Sequence, residues 1–133
     1  MFAVVGGLFL LQTRPAAAAD KAIYIPPSWQ KTGEVPWSED RSKESANFKL
    51  LWGEKSGTSP QTAASPYNFD PDSILTQLEN YYSFYMDDMK FTPEDGLLAE
   101  YKIVVIVTNT WNRTELNAWA TGGSADGKVG VIN

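Results

Sequence analysis

No cysteine and no histidine occur among the 133 residues of this chain. Without cysteine there is no disulfide, so the folded state has to be held by its core, by a metal or by additional protein. Without histidine the commonest zinc ligand and the commonest general base are both missing. Positive charge is scarce as well, with 11 Lys and Arg against 16 Asp and Glu and a net charge of −5. That balance provides no basic stripe to neutralise phosphates, which argues against nucleic acid as a partner and against an anionic membrane surface. Long apolar runs are also absent. The longest N-terminal stretch, residues 2–11, falls well short of the roughly 20 apolar residues a membrane span needs, so no stable membrane anchor is expected.

That stretch has instead the length of a signal-peptide apolar region. Pro15 breaks any helix after it, and Ala16 to Ala19 supply the small residues of a cleavage site just before Asp20. Residues 1–19 therefore read as a secretory signal peptide, and the protein as secreted and extracellular. No Lys or Arg precedes the apolar region, a departure from the usual pattern.

The remaining length allows one domain. Residues 20–46 read as an N-terminal arm, extended by Pro26, Pro27 and Pro36 and carrying Trp29 and Trp37, whose rings are expected to lie across the domain body. Ser38 stands where an N-cap would begin a single turn over 39–41. Residues 47–133 form the domain proper. Residues 47–52 predict a first strand with Phe48, Leu50 and Trp52 on one face and Lys49 and Leu51 on the other. A loop rich in small polar residues follows over 54–65, long enough to be mobile or to pack on the surface. Residues 67–90 predict the main helix, with Asp70 as N-cap and Pro71 at the first position. Its apolar stripe runs through Ile74, Leu75, Leu78, Tyr81, Tyr82, Tyr85 and Met89, spaced as a core face. Residues 94–100 read as a turn. Residues 102–108 hold five consecutive apolar side chains, Ile103 to Val107, the mark of a strand buried on both faces. Residues 127–133 predict one more strand after a turn at Asp126 and Gly127.

Strand, helix and strand make a βαβ unit with the two strands parallel and adjacent. The fold class is thus α/β or α+β, with a small mixed sheet and one long amphipathic helix. The helix covers one face of the central strand. For the other face two readings stay open. Either a partner chain or a further segment completes the fold, or the aromatic arm covers that face within a two-layer domain.

Signals for chemistry are few. Asp87 and Asp88 are neighbours on a helix, about 100° apart, and so read as solvated residues rather than a metal pair. Asn112, Arg113 and Thr114 form a glycosylation sequon. Gly122 and Gly123 permit close backbone approach in a loop leaving the carboxyl end of a parallel strand, where ligands bind in open sheets. Trp29, Trp37, Trp111 and Trp119 could provide stacking platforms for a carbohydrate or cell-wall polymer.

Residues 44–53, Glu-Ser-Ala-Asn-Phe-Lys-Leu-Leu-Trp-Gly, resemble the opening strand of a poorly characterised group of secreted, zincin-like metallopeptidase-like proteins. Residues 70–89 are similar to that group's first helix and 102–107 to its second strand. Trp119, Ala120, Thr121, Gly122 and Gly123 resemble its Gly-Trp-Ala-x-Gly-Gly motif, with Ala118 in place of the first Gly. The likeness covers about residues 37–133. It implies the incomplete N-terminal part of a zincin-like fold, with Val129 and Val131 on a substrate-side edge strand that takes an extended peptide. The His-Glu-x-x-His helix that holds zinc in such proteins has no counterpart here. No catalytic or metal-binding residue is therefore assigned, and zinc would require sequence after Asn133.

Overall fold

The computed structural model describes residues 20–25, 37–93, 96–112, 123–125 and 129–132. A single mixed sheet organises them. Its strands are β1 (Ser42–Glu44), β2 (Phe48–Leu51), β3 (Ile103–Ile106), β4 (Gly123–Ala125) and β5 (Val129–Ile132), in the spatial order β1-β2-β3-β5-β4. The three inner strands, β2, β3 and β5, are parallel, and the outer strands β1 and β4 run antiparallel to their neighbours. Phe48 stands opposite Ile103 and Leu51 opposite Ile106, so the predicted βαβ pairing is found in register. The arrangement is α+β, with the parallel unit at its centre.

Helix α1 (Pro71–Ser83) joins β2 to β3. Asp70 caps it by accepting the Asp72 amide hydrogen, and Pro71 sits where its missing N–H costs nothing. The helix continues as a π-turn over Phe84–Asp88. It stops at Lys90, which takes a left-handed φ of 51°. The Phe91 amide then bonds back to the Tyr85 carbonyl at 2.9 Å, closing the end much as a Schellman turn does.

One face of the sheet packs on this helix. Phe48, Leu50, Trp52 and Leu75 form its buried centre, with Ile74, Leu78, Tyr82, Ile103 and Val105 around them. On the other face Leu51, Val104, Ile106 and Trp111 are buried together, and Tyr24, Ile25 and Trp37 pack over them. The aromatic arm therefore covers the face that the helix cannot reach. It is tied down through Ala22, whose N–H donates to the Glu100 carbonyl and whose carbonyl accepts from Lys102, both at 2.8 Å.

Several expectations are corrected. The strand buried along its whole length is β2, where all four residues are inaccessible, whereas β3 alternates between buried and half-buried. Lys49 is buried within β2 because its ammonium reaches Glu39 at 2.8 Å, so its long stem lies in the core while the charge finds a partner. Ser42–Glu44, placed in the arm by sequence, pairs with β2 as an edge strand. The turn over 39–41 exists, yet the Ser38 side chain does not cap it. Of the two readings for residues 54–65, the packed one is found: they carry two short 3-10 turns with Ser56 and Pro60 buried. Within 94–100 a short helix, α2 (Gly96–Glu100), replaces the expected turn. The aromatic stripe of the main helix is core only in part: Tyr82 packs inward, but Tyr81, Tyr85 and Met89 are exposed, as is Phe84 beside the stripe.

Candidate functional site

Two features bear on function: the sheet edge at β4 and a crevice at the carboxyl ends of β2 and β3. Gly123 stands opposite Val131, and Ala125 opposite Val129. Because β5 pairs with β3 on its other side, Val129 and Val131 lie on an inner strand and not at the edge. Among the described residues β4, including Gly123, pairs only with β5 and so presents an open edge. Trp119 and Gly122 lie outside the described residues, as do Trp29, residues 1–19 and the turn at Asp126 and Gly127.

The crevice is built where two loops lock together. The Gly53 amide donates to the Thr110 hydroxyl at 2.7 Å, and that hydroxyl donates to the Val107 carbonyl at 2.7 Å. The Lys55 amide donates to the Thr110 carbonyl at 2.8 Å. A Cβ at position 53 would lie 2.5 Å from the Thr110 carbonyl and the Trp111 nitrogen, so only glycine allows this approach. The loop after β3 turns at Asn109, a non-glycine residue with φ of 65°. Beside it lies a cavity of about 410 Å³ lined by Lys55, Tyr67, Asn68, Phe69, Asn109 and Thr110, among others. Lys55 holds its ammonium 5.0 Å from the centre of the Tyr67 ring. It makes no salt bridge among the described residues.

The aromatic-platform expectation fares differently at each tryptophan. Trp111 is wholly buried and belongs to the core, and Trp37 is half-buried over the same cluster. Trp52 is buried with its indole N–H donating to the Gly57 carbonyl at 2.8 Å. Asn112 of the sequon is exposed, and its backbone N–H points to Glu54 at 3.4 Å. Asp87 and Asp88 are exposed on the π-turn, where Asp87 accepts a bond from Ser83 at 2.6 Å. No group of three or more potential metal-ligating side chains occurs among the described residues. The chain also has no histidine.

The model of a family of unknown function, DUF6055, matches residues 15–133. The chain belongs to DUF6055. The match takes in both the edge strand β4 and the crevice of this DUF6055 chain. No curated protein and no solved structure is matched by it. Among the described residues no helix is long and apolar enough to cross a membrane.

The crevice escaped the sequence reading because its walls are contributed by three separate segments. Asn109 and Thr110 open the loop that leaves the carboxyl end of β3, the position at which open sheets bind ligands. Lys55 falls in the loop read over 54–65, and residues 67–69 are assigned by sequence to the start of the main helix, which in fact begins at Pro71.

Proposed function

We propose that this chain is an exported, zincin-like scaffold that captures an extended peptide by strand addition along β4, without chemistry of its own. The observation that carries the reading is the sheet order: three parallel inner strands closed by an antiparallel edge strand, β4, with one side open among the described residues. An open edge offers a row of backbone donors and acceptors, and an added strand satisfies them. The likeness of residues 37–133 to zincin-like proteins supports the same use of the edge. Export is supported by the apolar stretch over 2–11 and the alanines before Asp20. Any zinc chemistry would need ligands supplied by residues other than these.

The test is a titration of the isotope-labelled protein with an extended, β-branched decapeptide, followed through backbone amide shifts. Saturable changes at Gly123–Ala125 are expected, and alternate N-methylation of the peptide, which removes its donors, should abolish them. Equal binding by the N-methylated peptide, or changes confined to other elements, would sink the reading.

A further inference from the structure

We propose that the crevice at the carboxyl ends of β2 and β3 binds a small monocarboxylate with an apolar body, and that Lys55 is its counter-charge. The inference is independent of strand addition at β4. Its position is the first argument, because ligands of open sheets containing parallel strands settle beyond the carboxyl ends of those strands. Size is the second: about 410 Å³ lies within the range of small-molecule sites. The lining supplies the chemistry. Phe69 and Val107 are apolar walls, and Tyr67 offers a ring face. None of the hydrogen bonds among the described residues uses the side chains of Asn68, Thr108 or Asn109, so polar groups remain to orient a ligand.

Lys55 sets the sign and the number of charges. In a chain with a net charge of −5, it lines the cavity, half-buried, its ammonium lying over the Tyr67 ring and making no salt bridge among the described residues. One cation matches one carboxylate. A phosphate dianion calls for more positive charge than this lining holds. The floor is rigid because Gly53, Lys55 and Thr110 are joined through their backbones and the Thr110 hydroxyl. Substituting the Lys55 side chain leaves those bonds in place.

The experiment uses the full chain, isotope-labelled, with phenylacetate, 2-phenylethanol and inorganic phosphate as probes. Phenylacetate should produce saturable amide shifts at Lys55, Asn68 and Val107–Thr110, with 2-phenylethanol and phosphate each weaker by about tenfold, the scale of one charge-assisted hydrogen bond. Lys55→Met should weaken phenylacetate by about the same factor. Asn109→Asp, which tolerates the same backbone conformation, places a like charge beside the ligand and should weaken it without touching Lys55. Equal affinity for 2-phenylethanol, tighter binding of phosphate, indifference to Lys55→Met, or shifts elsewhere in the fold would each overturn the proposal.

Discussion

Glu79 shows how much one polar side chain can organise. Its carboxylate accepts from the Ser45 hydroxyl at 2.5 Å and from the Asn47 amide and side chain at 2.7 Å each. Those bonds fasten α1 to the turn between β1 and β2. Burial pushes the Glu79 carboxyl upward, but the bonds from Ser45 and Asn47 together with the Lys21 charge leave it below its usual value of 4.5. A carboxyl whose pKa is lowered by folding adds stability above its unfolded pKa and loses it as protons return. Urea unfolding of the wild type should therefore weaken as pH falls below about 4.5, and Glu79→Gln should flatten that dependence. Glu79→Ala should cost about 2 kcal/mol at neutral pH, since hydrogen bonds to a charged acceptor are the stronger kind. An unchanged denaturation midpoint in the alanine variant would show that the turn holds itself. Gly53 makes the complementary case from sterics. Gly53→Ala drives a Cβ into the Thr110 and Trp111 backbone, and a loss of about 2 kcal/mol or more is expected in the same assay. None of this was legible in sequence, where Glu79 read as one more residue of a helix and Gly53 as the end of a strand.

At the scale of elements, local patterning served well wherever the chain satisfied itself locally. The Asp70–Pro71 start of α1, the parallel pairing of β2 with β3 and the terminal strand all follow from capping chemistry and periodicity. It misled where a third element decided burial. The alternation in β2 puts Lys49 with Leu51 on the face away from α1 but says nothing of its partners, and there Glu39 and Trp37 close over it. The five consecutive apolar residues from Ile103 to Val107 suggest two dry faces, yet within β3 Ile103 and Val105 stay half-buried under α1. The stripe of α1 continues along the π-turn, and its outer side leaves Tyr81 and Tyr85 exposed, with Phe84 exposed beside them. Trp111 gives the test of which tryptophans are core. It is fully buried with Leu51, Val104 and Ile106, so Trp111→Ala should cost about 3–5 kcal/mol. Tyr81→Ala, by contrast, should stay within about 0.5 kcal/mol. Guanidinium unfolding of both variants checks the pair, and similar losses would mean that the exposed half of the helix is packed in solution.

For the whole molecule, the decisive matter is what lies on the second face of the sheet. Composition and periodicity left two answers open because neither describes how an irregular, proline-rich arm lies across a sheet. The structure places Tyr24, Ile25 and Trp37 over Leu51, Val104 and Ile106, and pins the arm by the two Ala22 backbone bonds. The arm thus acts as a second layer without regular secondary structure of its own in 20–25. Its contribution follows from the apolar surface it removes from water, at about 25 cal/mol per Å². Tyr24→Ala with Ile25→Ala should therefore lower stability by several kcal/mol while leaving α1 and its face intact. The uncovered strands would then take up a fluorescent apolar dye such as ANS, and helical circular dichroism would persist below the lowered midpoint. If the double variant unfolds at the wild-type midpoint and binds no dye, the arm is an ornament and something else stabilises that face. If helix and dye signals change together in one transition, the two faces form a single cooperative unit, and the arm is as much a part of the core as the helix.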